Sequence, residues 1–270
     1  MAEFHQFYGR ALVYDIGMGR AVGRDFGREV AFLAELFRRQ AGRPPGSLLE
    51  LACGPGYHAR EAARRGIAAT GLDLSPDMLA YGGDLAGREG LPVTWVEGDL
   101  RRFALPAPVD IVVAPFDAID VLLTNADVVA HFRAVAEALA PDGVYVVDVS
   151  HPRDCSPWAY GSHRYEGERD GMRVVIEAGV NGPPIDAAAQ IAETEMRITV
   201  ERDGRTEVIR DLARERFFHP QELAALAELS GGLEVARFFG DYDLEVPFDL
   251  SERSTRLIAV LRSVNRPPSA

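Results

Sequence analysis

The feature that most constrains this chain is an alternation. Between Phe26 and Val149, short apolar runs that end in Gly or Asp take turns with segments whose apolar residues recur at helical spacing. The first helical face carries Phe26, Val30, Leu33 and Phe37 and stops at Arg38, Arg39 and Gly42. Pro44 and Pro45 separate it from the run 47–53, which reads as a buried strand. Gly54-Pro55-Gly56 turns, and residues 57–65 read as a helix stopped by Gly66. A strand at 67–72 ends at Asp73, and Ser75 and Pro76 supply the N-cap and first residue of the next helix. Strands follow at 93–96, ending in Gly98-Asp99, and at 109–114. Residues 125–140 carry Val128, Val129, Phe132, Val135 and Leu139 at helical spacing. Pro141-Asp142-Gly143 then turns into the strand 144–149. Strands alternating with helices predict an α/β fold, a parallel sheet with helices on both faces. Uninterrupted apolar strands fit burial on both faces.

After His151 the pattern changes. Residues 151–217 place Pro, Gly and Asp clusters between β-like stretches at 172–180, 190–201 and 205–217. Ile191, Met196, Ile198 and Val200 alternate with polar neighbours for part of the way, and Asp203-Gly204 is a hairpin signal. This predicts a small antiparallel β-sheet inserted after strand five. Helix and strand resume at Pro220, with Leu223, Leu226 and Leu229 on one face and strands at 233–239 and 255–261. The 270 residues therefore divide into one core, 26–150 with 218–262, and an insertion at 151–217 for acceptor binding or dimer contact. Residues 1–25 form an N-terminal lid segment, and 263–270 a tail.

Composition removes several classes. Apolar residues make up 47% and charged residues 26%, so wholesale disorder is excluded. No apolar run approaches the roughly 18 residues of a membrane span. The 41 acids outnumber the 29 bases, and a net charge of −12 argues against nucleic-acid binding. The N-terminus lacks the basic start and apolar stretch of a signal peptide. Cys53 and Cys155 make neither a disulfide framework nor a metal site by spacing, so the expected compartment is the cytoplasm and no metal is expected.

The informative segment is Glu50-Leu51-Ala52-Cys53-Gly54-Pro55-Gly56-Tyr57-His58-Ala59. Glycines at a strand-to-helix turn let a ligand approach the backbone closely. Gly54, Gly56 and Ala59 satisfy the G-x-G-x-x-A pattern, and Asp73 follows Gly54 by 19 residues. An acid there can accept hydrogen bonds from both ribose hydroxyls. These residues leave a nicotinamide oxidoreductase and other adenosine-binding proteins both open. Two further features bear on the choice: Glu50 inside the first strand, and Glu97-Gly98-Asp99-Leu100 after the third.

Together these segments resemble the class I S-adenosylmethionine-dependent methyltransferases. The resemblance spans residues 48–59, 71–79, 97–100, 109–112 and 139–143, and lies nearest the small-molecule enzymes of bacterial secondary metabolism. Ala52 departs from it, standing where many members have the first motif glycine. The resemblance implies a Rossmann-like, mostly parallel sheet of seven strands and S-adenosylmethionine as cofactor. It places the backbone of Ala52, Gly54 and Gly56 under the methionine part. Asp73 would hold the ribose and Leu74 would lie against adenine, with Met78 in the same pocket. Asp99 would accept from the adenine amino group, and Leu100 would meet the ring. The Ala114 carbonyl would lie near the cofactor's amino group. Glu50 would line the site or only fix the turn, and Tyr14 or Arg20 would reach the cofactor carboxylate from a lid hinged at Gly17 and Gly19.

The implied reaction is in-line displacement of the methyl group onto O or N of a small acceptor, with the nucleophile held about 3 Å from the methyl carbon. The acceptor would lie beyond the carboxyl ends of strands four and five. His151 is then a candidate base, or a cap on the turn before Pro152. Asp117 would orient an amine or hydroxyl, or cap its own turn. Phe116, Arg153, Trp158 and Tyr160 are candidate acceptor residues. A cyclisation or elimination supported by the sulfonium stays open, as does a non-catalytic binding module. The expected partner is a small-molecule acceptor, with no nucleic acid or membrane, and a homodimer is a further possibility.

Overall fold

The structure is a computed structural model, and it describes residues 7–19, 23–155, 162–179 and 185–264. A short helix α1 (Ala11–Tyr14) runs into a π-helical turn at Asp15–Gly19. Helix α2 (Phe26–Ala41) is capped by Asp25, which accepts from Arg28 N, and is closed by Gly42 at φ +72°. Then come β1 (Ser47–Leu51), α3 (Tyr57–Arg64), β2 (Ala68–Asp73), α4 (Pro76–Glu89), β3 (Val93–Glu97) and β4 (Val109–Ala114). Ser75 caps α4 with Pro76 as its first residue.

Helix α5 (Asn125–Ala138) ends two residues earlier than the spacing predicts. Strand β5 (Leu139–Ser150) begins there, because Leu139 already pairs with Val109 before the register shifts to Ile111 opposite Val144. The insertion follows as β6 (His163–Arg169), β7 (Met172–Ala178), β8 (Ile185–Asp186), β9 (Ile191–Arg202) and β10 (Arg205–Arg216). Helix α6 (Pro220–Ser230), β11 (Leu233–Phe239) and β12 (Arg256–Ser263) complete the order.

Seven strands form one sheet in the order β11-β12-β5-β4-β1-β2-β3. Strands β1 to β5 pair in parallel, and β12 runs antiparallel to both of its neighbours. Successive residues point to opposite faces. Leu49, Val112 and Val147 meet Phe132, Val135 and Leu223 on one side. Leu48, Ile111 and Val146 meet Val30, Leu33 and Phe37 on the other. On α6 the buried face is Leu223, Leu226, Ala227 and Ser230, while Leu229 is 64% exposed. Leu229 lies more than a quarter-turn from the centre of that face, so its expected place in the core is corrected.

The second sheet runs β10-β9-β7-β6, with β8 on β9. Its strand β6 was not among the expected strands, because its sequence lacks alternating apolar residues. Its apolar cover comes from elsewhere. Phe7, Val13 and Ile16 pack with Val174, Ile176, Met196 and Ile198. Gly167 in β6 lies so close to the Ile16 carbonyl that a Cβ there would overlap it. The N-terminal segment is thus packed onto the insertion. Among the described residues, no helix is long and apolar enough to cross a membrane.

Candidate active site

The end of β1 turns through three left-handed residues: Ala52 at φ +47°, Gly54 at +49° and Gly56 at +72°. Alanine tolerates this conformation at a cost of about 1–2 kcal/mol, and glycine does so freely. Gly56 has a second reason to lack a side chain, since a Cβ would stand 2.4 Å from the Trp95 indole. The same indole lies against Gly71 and Gly82.

Carboxylates lock this turn. Asp73 Oδ2 accepts from Gly54 N at 2.7 Å, and Oδ1 accepts from Ser75 N at 2.8 Å. Burial pushes the Asp73 carboxyl up against these hydrogen bonds. Glu50 is buried, and Oε2 accepts from Ala59 N at 2.8 Å. His58 bridges Glu50 Oε1 at 3.0 Å and Glu29 Oε2 at 2.7 Å. Burial disfavours an imidazolium there, but the two carboxylates outweigh it and raise His58 to about 9. Glu50 therefore supports the turn from beneath, and its expected place lining the ligand is corrected.

Other expected cofactor residues gather at the same sheet edge. Tyr14 and Met78 flank Gly54, 3.8 and 3.9 Å from where its Cβ would be. Asp15 pins the segment carrying Tyr14, accepting from Tyr57 Oη at 2.5 Å, Tyr81 Oη at 2.7 Å and Arg169 Nη1 at 2.7 Å. Leu74 is 41% exposed beside Asp73. Asp99 is held by Arg101, whose Nη2 lies 2.6 Å from Oδ2. Leu100 is buried, and its carbonyl accepts from His131 Nδ1 at 2.8 Å. His131 Nε2 in turn accepts from Tyr145 Oη at 2.6 Å, and burial lowers the ring to about 4. Arg101 also lines a shallow cleft of about 550 Å³ with Arg102 and Arg133, outside this carboxylate-lined edge.

Ala114 ends β4, fully buried. Beyond it Phe116 and Asp117 are both left-handed, at φ +49° and +62°. Asp148 of β5 explains their conformation. It accepts from Phe116 N at 3.0 Å, Tyr242 Oη at 3.1 Å, Arg24 Nη2 at 2.8 Å and Arg256 Nε at 2.7 Å. Burial opposes its charge, yet Arg256 and Arg24 hold Asp148 well below the usual carboxylate range. Asp117 Oδ1 accepts from Ser150 N at 2.5 Å, and Oδ2 accepts from Arg256 Nη2 at 2.8 Å. Arg24 also meets Glu29, 2.6 Å from its Oε2. An unbroken polar chain, Glu50–His58–Glu29–Arg24–Asp148–Arg256–Asp117, thus joins the glycine turn to the loop after β4.

Two expectations are corrected beside it. His151 is buried and stacked on Phe248. Its Nε2 donates to the Asp249 carbonyl at 2.9 Å and its Nδ1 accepts from Arg153 N at 3.2 Å, which leaves neither nitrogen for an acceptor proton. Arg153 sends its guanidinium to the carbonyls of Leu250 and Ser251 and so turns away from the expected acceptor side. Arg20, Trp158 and Tyr160 lie outside the described residues.

Asp148, Arg24 and Arg256 were missed by the sequence reading. One signal was present: Asp148 interrupts an apolar strand, and a buried acid there requires partners. Among the described residues, no cluster of His, Cys, Asp or Glu could hold a metal ion.

A family profile described as a methyltransferase domain matches residues 48–143, the stretch that carries the turn, Asp73 and Asp99. Residues 48–143 carry a methyltransferase domain.

This methyltransferase domain is 37% identical over 138 residues to dTDP-3-amino-3,6-dideoxy-alpha-D-glucopyranose N,N-dimethyltransferase of Streptomyces fradiae, covering 51% of this chain and 52% of that protein. It is 36% identical over 138 residues to a Streptomyces venezuelae N,N-dimethyltransferase of the 3,4,6-trideoxy sugar, covering 50% and 55%. The chain thus spans about half the length of the curated relatives it matches. Among solved structures, Streptomyces venezuelae DesVI superposes with a TM-score of 0.74 at 27% identity, over 93% of this chain and 97% of that one. The CcbJ methyltransferase of Streptomyces caelestis gives 0.73 at 27% identity, over 95% and 97%. S-adenosylmethionine is the cofactor this methyltransferase family uses, and the residues present suit it. A carboxylate ends β2 for a diol, an exposed Leu74 follows it for a purine face, and a left-handed turn exposes backbone between them. The nicotinamide reading of the glycine pattern is set aside.

Proposed function

We propose that the chain transfers a methyl group from S-adenosylmethionine to an amine nitrogen of a small molecule, with a nucleotide-linked amino sugar as the acceptor class. The names of the sugar N,N-dimethyltransferases above support the acceptor. The observation that carries the reading is the Asp73–Gly54 contact of 2.7 Å, which fixes a ribose-binding acid against a left-handed turn facing Tyr14.

Bound S-adenosylmethionine supplies an electrophilic methyl carbon on a sulfonium. The chain's part is to hold both reactants in line and to exclude water. Tyr14 and the segment Phe7–Gly19 would cover the turn. Phe116, held by Arg24 and Arg256 at 5.1 and 5.9 Å from its ring, would wall the acceptor side. The insertion at 151–217 would complete that wall or meet a second copy of the chain. The net charge of −12 supports a small acceptor over a nucleic acid. Two buried free cysteines fit a reducing cytoplasm.

Calorimetry with S-adenosylhomocysteine tests the reading. Wild type is expected to bind, and Asp73→Ala to bind at least about tenfold more weakly through loss of a charged hydrogen-bond acceptor. Equal affinities would remove the ribose role, and no binding to wild type would remove the activity.

A further inference from the structure

Asp120 is a buried acid of this corner without an assigned task. It lies in the loop beyond β4 and is only 8% exposed. Its Oδ1 is buried with no hydrogen-bond partner among the described residues. An unsatisfied buried carboxylate oxygen has lost its hydration without replacement, so a ligand that satisfies it gains what the free protein forfeits.

The neighbouring carboxylates are committed. Asp117 takes Ser150 N and Arg256, Asp148 takes both arginines, and Glu215 accepts from Thr194 Oγ1 at 3.1 Å. Arg216 donates its backbone N–H to the Asp120 carbonyl and its Nη2 to Asn125 and Glu222, while its buried Nε and Nη1 have no hydrogen-bond partner among the described residues. Asp117 in the same loop, Asp148 on β5, Glu215 on β10 and Arg256 on β12 all act on the charge of Asp120. Tyr8 and Cys155 feel that charge in return. Asp117, Asp120, Asp148 and Glu215 are four acids beside the three arginines Arg24, Arg216 and Arg256, so the balance at Oδ1 favours a cation over a phosphate. A donor is needed at Oδ1, and an alkylammonium brings both. The corner lies beyond the carboxyl ends of β4 and β5, where open α/β sheets bind their substrates.

We propose that Asp120 receives the protonated amine of the acceptor at Oδ1 and takes one proton from it, as a catalytic residue of amine methylation. This rests on the methyl-transfer reading above. The ammonium N–H bond breaks and its proton passes to Oδ1, which leaves a lone pair on nitrogen. The N–C bond then forms as the C–S bond breaks. The C–S electron pair stays on sulfur, and the positive charge moves to nitrogen. Burial raises Asp120 well above the ordinary carboxylate range, with Asp117 and Glu215 adding to it, so it holds a proton more firmly than an ordinary carboxylate once it has taken one. Burial drives Tyr8 upward and Cys155 up to about 12, so neither competes for that proton.

The test uses the full chain, wild type and the variants Asp120→Asn and Asp120→Glu. The probes are S-adenosylhomocysteine, dTDP-3-amino-3,6-dideoxyglucose and the same sugar nucleotide with a 3-hydroxyl. All three proteins are expected to bind S-adenosylhomocysteine within twofold of each other, which also reports folding. Wild type is expected to methylate the amino sugar and not the hydroxy sugar. In Asp120→Asn, kcat should fall about 100-fold and recover with rising pH as the free amine accumulates. Asp120→Glu should regain part of kcat and the wild-type pH profile. The proposal is overturned if Asp120→Asn keeps kcat within threefold with an unchanged pH profile. It is equally overturned if wild type binds S-adenosylhomocysteine yet methylates the hydroxy sugar or neither sugar. A wild type that does not bind S-adenosylhomocysteine overturns the methyl-transfer reading, and this inference with it.

Discussion

Arg256 Nε stands 2.7 Å from Asp148 Oδ1, and the pair ties β12 to β5 beneath the loop that carries Asp117. Asp148 is fully buried, so its charge depends on its partners. Replacing one partner of a buried pair leaves the other charge uncompensated, at about 3–5 kcal/mol. Arg256→Met is expected to lower unfolding free energy by that amount in a urea titration. Adding Asp148→Asn should recover part of it, a coupling that a double-mutant cycle reads directly. Full additivity would show that the two residues act separately.

Two buried histidines set opposite limits on stability against pH. His58 is raised to about 9, so its contribution is complete below about 6.5 and is lost as pH climbs through 9. His131 is lowered to about 4, so its contribution is present above about 6.5 and is lost as pH falls through 4. Each is worth on the order of 3 kcal/mol. Stability should therefore peak near pH 6.5. His58→Gln should flatten the alkaline limb alone, and His131→Gln the acid limb alone. Chemical unfolding at a series of pH values separates the two.

Gly56→Ala joins two penalties. The backbone is left-handed at φ +72°, and the new methyl meets the Trp95 ring. The expected loss is about 2 kcal/mol or more of stability, with weaker S-adenosylhomocysteine binding. Trp95→Phe in the same chain should relieve the clash and restore only part, since the dihedral cost remains. Complete rescue would assign the whole effect to sterics.

The parallel core was legible because each strand carries its own apolar run and each helix its own cap. Asp25, Ser75 and Thr124 announce their helices locally, and each caps as a short-range rule requires. The glycine turn, Asp73 and Asp99 sit at strand ends that the alternation places on one edge. Strand β6 was not legible, because its apolar cover comes from Ile16, far away in sequence. His151 left two readings open for a similar reason. Its position beside β5 allowed a base or a cap, and the choice falls to the cap because Asp249 and Phe248 arrive from nearly a hundred residues away and enclose the ring. Arg24, Asp148 and Arg256 form one network from three distant segments, and no local pattern in the sequence joins them.

The segment Phe7–Gly19 has two clients. Tyr14 flanks the glycine turn, while Phe7, Val13 and Ile16 fill the core of the inserted sheet. Ordering this segment for either one orders it for the other, which is a thermodynamic coupling without any signal passing through the sheet. The inserted sheet is therefore less free to vary than an ordinary surface appendage. On the function proposed above, a change that reshapes it for a new acceptor would also shift the segment that flanks the glycine turn, so acceptor preference would diverge only along paths that keep that segment seated.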